Sequence, residues 1–376
     1  MRITIATGPC FPYPATRGGG MIRVWAALSP LFASEGHEVT ILARRTRAQP
    51  AKEMLGNVQI LRHGGFNQSS RTLFNLIRDF FYAWSLCRRL PDGDIFITND
   101  FWLPFLAPLL ATRSGAIVVS VNRFPKYQML LYGRAGLLVT PTLALARAIE
   151  KQTPSLTQKL ACIANPYDAC SFFPDNTVPH KPKSILYIGR IHPEKGVDVL
   201  IKAFSKIHPH FPEATLTIVG PSNTSEGGGG SSYLKRLKSL AFSFPVLFQP
   251  PVFGACDLAK IYRQHSIFCY PTLADKGEAM GIAPIEAMAC GCVPIVSSNP
   301  VFSDWLRSGH NGWSFNHHSE HEPAAELATC IHNLLEDPKL LQTMRTNALE
   351  TVKNFHPSFI SGKFLSHFES LLDDPR

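Results

Sequence analysis

The sequence predicts an α/β protein built from two doubly wound parallel-sheet domains, and three observations predict it. A strand, a glycine-rich loop, a helix and a second strand follow one another within residues 2 to 43. The alternation restarts after a stretch dense in proline and charge, PDNTVPHKPK at 174 to 183. The length of 376 residues exceeds the size at which one hydrophobic core usually keeps growing.

Residues 2 to 7 read as the first strand, and the loop after them ends in Gly18, Gly19 and Gly20. The next helix, expected over 21 to 35, has an apolar face from Met21, Val24, Leu28 and Leu31, with Gly36 as its cap. Pro30 lies inside it and predicts a kink or an early end. Residues 39 to 43, 58 to 61, 94 to 98, 116 to 121 and 137 to 140 read as further strands, with a long helix over 73 to 89. Asn99, Asp100, Asn122 and Arg123 follow the carboxyl ends of their strands, the edge at which an open parallel sheet binds ligands. Arg123, Lys126 and Tyr127 add a polar rim.

The second domain opens with a strand at 184 to 188, then GRIHPEKG at 189 to 196, and a helix packed through Val199, Leu200, Ala203, Phe204 and Ile207. The strand at 215 to 219 ends at Gly220. SEGGGGSS at 225 to 232 is read as an expanded surface loop in preference to a mobile flap. Helices near 233 to 243 and 257 to 265 alternate with strands at 246 to 249 and 267 to 270. Helices at 323 to 336 and 339 to 352 follow. The last helix is expected to carry Phe359, Lys363, Phe364 and Phe368 at helical spacing.

The chemistry concentrates in KGEAMGIAPIEAMACGCVPIVSS at 276 to 298. Pro284 fits the first turn of a short helix, Gly291 fits a left-handed cap, and Val293, Pro294, Ile295 and Val296 make a buried parallel strand. Glu278 lies in the loop and Glu286 is expected in the first helical turn, with the amides of Gly281, Ile282 and Ala283 between them. Free N–H groups at a helix start can hold a diphosphate, and two flanking carboxylates can accept hydrogen bonds from sugar or ribose hydroxyls. Glu286 alone could equally serve the helix dipole.

Composition narrows the partners. The net charge of +9 favours acidic ones, but neither a recognised nucleic-acid module nor a basic stripe with interleaved aromatics is present. Nine cysteines without a CxxC pair suggest reduced thiols in a cytosolic protein. The apolar run of MRITIATGP is too short for a signal peptide, and no stretch reaches the ~20 apolar residues that span a bilayer. Phe80, Phe81, Tyr82 and Trp84, with FWLPFLAPLL at 101 to 110, allow two readings: a membrane-facing patch beside cations, or core, the commoner fate. No metal is expected. His317, His318 and His321 cluster, and Cys290 lies near Cys292, but neither set has a four-ligand spacing.

Three features in this order resemble the retaining glycosyltransferases of the two-Rossmann-domain type (GT-B fold), glycosyltransferase family 4, over nearly the whole chain. They are the double glycine at Gly19 and Gly20, the GRIHPEKG segment with Arg190 and Lys195, and the Glu-x7-Glu motif from Glu278 to Glu286. The resemblance implies two Rossmann-like domains facing across a cleft: 1 to 177 for the acceptor, 178 to 353 for the nucleotide sugar, and a closing helix at 354 to 376 packed back on the first domain. It implies that Arg190 and Lys195 bind the donor diphosphate and stabilise its growing charge, that Glu278 contacts the donor sugar and that Glu286 holds the ribose. The amides of Gly281, Ile282 and Ala283 would meet the phosphates, Gly19 and Gly20 would allow the same diphosphate to approach, Gly220 would lie beside the nucleotide, and Gly189 would belong to the same nucleotide-sugar site.

One position departs from that pattern: where many relatives carry a His that contacts the sugar, this chain has Asn122, which cannot become cationic. Asp100 is a candidate acceptor contact. The expected activity is retaining transfer of a hexosyl group from a nucleotide sugar, UDP-sugar before GDP-sugar, to a glycan, lipid or small-molecule hydroxyl, without a metal or other cofactor. The alternatives are a nucleotide-sugar epimerase or hydrolase, or a non-catalytic nucleotide-sugar-binding protein. The expected location is the cytoplasm, with peripheral association at the inner membrane face as the further option.

Overall fold

The computed structural model describes residues 1–14, 20–47, 49–69, 71–175, 177–178, 181, 183–319 and 322–373. They divide into two units, Met1–Pro166 joined by the segment from Pro357 onward, and Tyr167–His356.

The first unit contains β1 (Arg2–Ala6), α1 (Gly20–Ser34), β2 (Glu38–Arg44), β3 (Lys52–Leu55), β4 (Val58–His63), α2 (Thr72–Cys87), β5 (Ile95–Thr98), α3 (Leu103–Leu110), β6 (Ala116–Ser120), β7 (Leu137–Thr140), α4 (Leu143–Gln152) and β8 (Leu160–Cys162). Its sheet runs β3-β4-β2-β1-β5-β6-β7-β8. Among the described residues, only the β3–β4 pair is antiparallel. The central strands are apolar on both faces, as a sheet covered by helices on both sides requires.

The second unit contains β9 (Ser184–Ile188), α5 (Val197–Ile207), β10 (Thr215–Val219), α6 (Gly230–Leu240), β11 (Val246–Gln249), α7 (Ala255–Arg263), β12 (Ile267–Tyr270), α8 (Ile282–Ala289), β13 (Val293–Ser297), β14 (Trp313–Phe315), α9 (Pro323–Glu336) and α10 (Pro338–Val352). Its sheet is wholly parallel in the order β11-β10-β9-β12-β13-β14, which is the dinucleotide-fold order 3-2-1-4-5-6. Both sheets with their helices make the two-Rossmann-domain GT-B fold. The closing helix α11 (Pro357–Asp373) belongs to the first unit, where it packs on α1 through edge-on rings of Trp25 and Phe364 at 5.7 Å and Phe32 and Phe368 at 6.0 Å.

That packing overrides Pro30. The expected early end does not occur, since α1 runs on to Ser34. Full burial of Trp25, Leu28 and Phe32, at ~1.5–3 kcal/mol per side chain, outweighs the ~3 kcal/mol of an interior proline. The buried face is also broader than the expected stripe. It takes in Ile22, Trp25 and Phe32 and leaves Met21 and Leu31 half-exposed, because α1 meets both the sheet and α11.

The division falls between Pro166 and Tyr167, ahead of the proline-rich stretch. Residues 171–173 are tied to the second unit. Arg263 of α7 donates to the carbonyls of Ser171 and Phe173, both at 2.8 Å, and buried Phe172 meets Tyr262 edge-on at 5.9 Å.

SEGGGGSS is a tight wrap rather than an expanded loop. Its last three residues open α6, Gly229 donates to the Ile191 carbonyl at 2.8 Å, and a Cβ on Gly228 would lie 2.2 Å from the Ser222 carbonyl carbon. The aromatic stretch and the helix around it are part core and part exposed surface. Tyr82, Leu103, Leu106 and Ala107 are core, whereas Leu73, Phe74, Ile77, Phe81 and Trp84 of α2 are exposed.

Candidate active site

The order of the second sheet reverses between β9 and β12, so ligand-binding chemistry is expected outside their carboxyl ends. After β9 the chain passes Gly189 and Arg190 into a short turn, Pro193–Lys195, where the Glu194 amide donates to His192 Nδ1 at 3.3 Å. Gly196 follows at φ +65°. A Cβ there would sit 2.1 Å from the Pro271 carbonyl oxygen. Only glycine lets the segment after β12 cross this closely, and the Leu273 amide fastens the crossing by donating to the Glu194 carbonyl at 2.7 Å.

The crossing brings Lys195 to Glu278. Lys195 is 6% exposed, and its Nζ lies 2.7 Å from Glu278 Oε2. Tyr270, the last residue of β12, donates its hydroxyl to the same oxygen at 2.9 Å and accepts from Lys195 Nζ at 3.4 Å. Burial and the Glu278 carboxylate push the Tyr270 phenol well above its ordinary pKa, so it remains a donor. Tyr270 is a member of this site that sequence reasoning missed. Its signal was its place at the end of the strand beside the sheet's reversal.

Arg190 stands apart from this pair. Its guanidinium donates to Glu194 Oε1 at 2.5 Å and to the Gly227 carbonyl at 2.9 Å, and its side chain is 42% exposed. The glycine wrap thus supplies a carbonyl that holds Arg190, a role its composition did not disclose.

Helix α8 begins at Ile282, with Gly281 as its cap at φ +72° and the Phe302 ring 2.7 Å from where a Cβ would be. Helix geometry leaves the Ile282 and Ala283 amides without intrahelical acceptors, and Ile282 is exposed at that end. Because the helix starts at Ile282, Glu286 falls in its second turn rather than in the expected first. The dipole reading loses its footing there. Glu286 is instead a buried carboxylate that accepts from the Tyr262 hydroxyl at 3.4 Å. Gly291 closes the helix at φ +87° between buried Cys290 and Cys292, as expected.

The remaining glycines separate by cause. A Cβ on Gly220, at φ +150°, would lie 1.9 Å from the Gly189 carbonyl oxygen, and one on Gly189 would lie 2.8 Å from the Tyr187 hydroxyl. Packing alone accounts for both. Gly20 is the first residue of α1, and among the described residues, its chain neighbours and its own helix backbone aside, nothing lies within 4 Å of its would-be Cβ. Gly19 lies outside the described residues, as does His321.

In the first unit, Asn122 follows β6, donates to Ser120 Oγ at 2.9 Å and accepts from Asn165 Nδ2 at 2.8 Å. Asp100 follows β5, next to β1, where the first sheet reverses. It is 7% exposed, and its Oδ1 accepts from the amides of Trp102 at 3.1 Å and Leu103 at 3.3 Å, which starts α3. Its neighbour is buried Asp79 of α2. Burial first, and Asp100 second, raise the Asp79 carboxyl to about 9. The pair therefore shares a proton at neutral pH.

Residues 171–351 match the family model described as glycosyl transferases group 1. A D-inositol 3-phosphate glycosyltransferase of Streptomyces bingchenggensis is 31% identical over 186 residues, 48% of this chain and 38% of that protein. The chain thus spans well under half the length of the first curated relatives it matches. Sucrose-phosphate synthase from Thermosynechococcus elongatus superposes with a TM-score of 0.78 at 19% identity, over 99% of both chains. Anabaena HepE, solved with UDP and glucose, gives 0.74 at 16% identity over 98% of this chain and 100% of that one.

Proposed function

We propose that this chain is a retaining glycosyltransferase that moves a hexosyl group from a nucleotide sugar, a UDP-sugar before a GDP-sugar, to a hydroxyl of a glycan, lipid or small-molecule acceptor. The observation that carries the reading is the buried Lys195–Glu278 pair at the reversal of the second sheet, beside the open start of α8. The group 1 match over the same residues supports it, as does HepE's binding of UDP and glucose.

In this reading the α8 amides and the Lys195 ammonium hold the diphosphate. Arg190 joins them on release from Glu194 and Gly227. Glu278, freed from Lys195 as the phosphate takes the cation, accepts from sugar hydroxyls, and Glu286 from the ribose. The bond from the anomeric carbon to the phosphate oxygen breaks as the acceptor oxygen bonds to that carbon from the same face. The acceptor proton passes to the departing phosphate oxygen. No side chain has to act as base, which suits Asn122, whose hydrogen-bonding groups face Ser120 and Asn165. Asn122 and Asp100 are the candidates contributed by the first unit. Gly20, at the first position of α1, keeps its proposed role in letting the diphosphate approach. None of these steps calls on a metal.

We further propose a cytoplasmic location. The exposed α2 stripe of Leu73, Phe74, Ile77, Phe81 and Trp84, beside Arg78 and Arg88, supports peripheral contact with an anionic membrane. No helix among the described residues is long and apolar enough to cross a membrane.

The test is a thermal-shift screen of nucleotide sugars followed by product analysis with and without acceptors, since a bound donor raises the unfolding temperature. Transfer that requires an acceptor and keeps the anomeric configuration is expected. Epimerised or hydrolysed donor formed regardless of acceptor would replace the reading with an epimerase or hydrolase. No shift from any donor would leave a non-catalytic protein.

A further inference from the structure

We infer a metal site in the second unit, formed by Asp275, His317 and His318, that takes a divalent transition ion of the Zn2+ class. The two histidines follow β14, and Asp275 sits in the loop between β12 and α8. Asp275 Oδ1 lies 3.1 Å from His317 Nε2 and 3.0 Å from His318 Nε2, and the imidazole centroids are 4.0 Å apart. The three ligand atoms lie within 4.8 Å of one another. A tetrahedral ion bonded at about 2.0–2.1 Å to nitrogen and oxygen sets neighbouring ligand atoms roughly 3.3 Å apart, close to the two spacings between Asp275 and the histidines.

The surroundings are also those of a metal centre. The His317 side chain is 2% exposed, and its other nitrogen, Nδ1, lies 3.0 Å from Ser298 Oγ, which fixes the ring with Nε2 toward the carboxylate. The Asp275 and His318 side chains are 54% and 63% exposed, so an ion can enter and a water can complete its shell. Two imidazoles with one carboxylate select a transition ion over Mg2+ or Ca2+, which take oxygen ligands.

The site has a place in the loop's architecture. Asn299 Nδ2 donates to the Ala274 carbonyl at 3.0 Å, and Asp275 is separated from Glu278 only by Lys276 and Gly277. An ion at Asp275 would fasten the loop that carries Glu278 to the turn after β14. This is a structural role, and it leaves the proposed transfer chemistry without a metal.

The test is titration of the metal-free protein with Co2+, read in the visible spectrum, and displacement with Zn2+. Saturation at one equivalent is expected, with ligand-field bands of a tetrahedral nitrogen and oxygen set and no thiolate charge-transfer band. His318→Ala and Asp275→Asn alter exposed side chains, and their metal-free unfolding temperatures should stay near that of the parent. Each should weaken Co2+ binding by more than about 10-fold, the least expected even for loss of an outer partner such as Ser298. Absence of a saturable band, a thiolate-bound spectrum, or unchanged affinity in both variants would overturn the assignment.

Discussion

The two sheets reverse in the same way and place carboxylates at the reversal, yet what surrounds those carboxylates differs. In the second unit Glu278 meets a cation, Lys195, and a phenol donor, Tyr270, beside open helix amides. In the first unit Asp100 meets another acid, Asp79, and its Oδ1 accepts from the amides that start α3. A cation held by a displaceable carboxylate can be handed to a phosphate. An acid pair that shares a proton has no cation of its own to hand on. The same topology thus supports a cation–carboxylate edge in one unit and a proton-sharing carboxylate pair in the other.

The largest expected break in that contrast is Lys195→Ala. It should lower transfer by about 100-fold or more, as for loss of one transition-state charge contact. Steady-state turnover with an identified donor is the check, and near-parental turnover would remove Lys195 from the proposed chemistry. Gly220→Ala attacks the backbone of the same edge. With φ at +150° and the Gly189 carbonyl oxygen 1.9 Å from the new Cβ, it should cost on the order of 1–3 kcal/mol or more, read as a lower denaturation midpoint.

The first unit's acid pair makes a pH prediction. The folded Asp79 carboxyl titrates at about 9, against ~3.9 unfolded, so the folded state binds the extra proton between those values. Stability contributed at that site is full below the unfolded value and falls as pH rises toward the folded one, by at most about 1.4 kcal/mol per pH unit. Asp79→Asn should flatten this decline, and parallel slopes for parent and variant across neutral pH would contradict it. The smallest effect is expected on α2, where Phe81→Ser should reduce cosedimentation with anionic liposomes and leave turnover on a soluble acceptor unchanged.

The order of strands and helices was legible because parallel strands buried on both faces read as apolar runs, and helices as periodic ones. The short elements β3, α3, α4, β8 and β14 were not read from the sequence. β8 and β14 offer three residues each, and α3 contains Pro104 and Pro108, a composition that argues against a helix until Asp100 is seen accepting its first amides. Pro30 misled because propensity is local, whereas the burial that overrides it comes from α11, more than three hundred residues away in the chain.

In the site, Glu278 and Lys195 were legible as motif residues. Tyr270, Tyr262 and Asp275 were not, because their roles come from tertiary crossings that no spacing encodes. Glu286 was placed one turn too early, since the sequence does not say that Gly281 rather than a later residue caps α8.

The most direct measurement is a crystal structure with UDP, or with GDP if UDP fails to bind. The account predicts a diphosphate against the Ile282 and Ala283 amides, with Lys195 Nζ turned from Glu278 onto a phosphate oxygen. A diphosphate bound elsewhere, with the Lys195–Glu278 pair still closed, would contradict it.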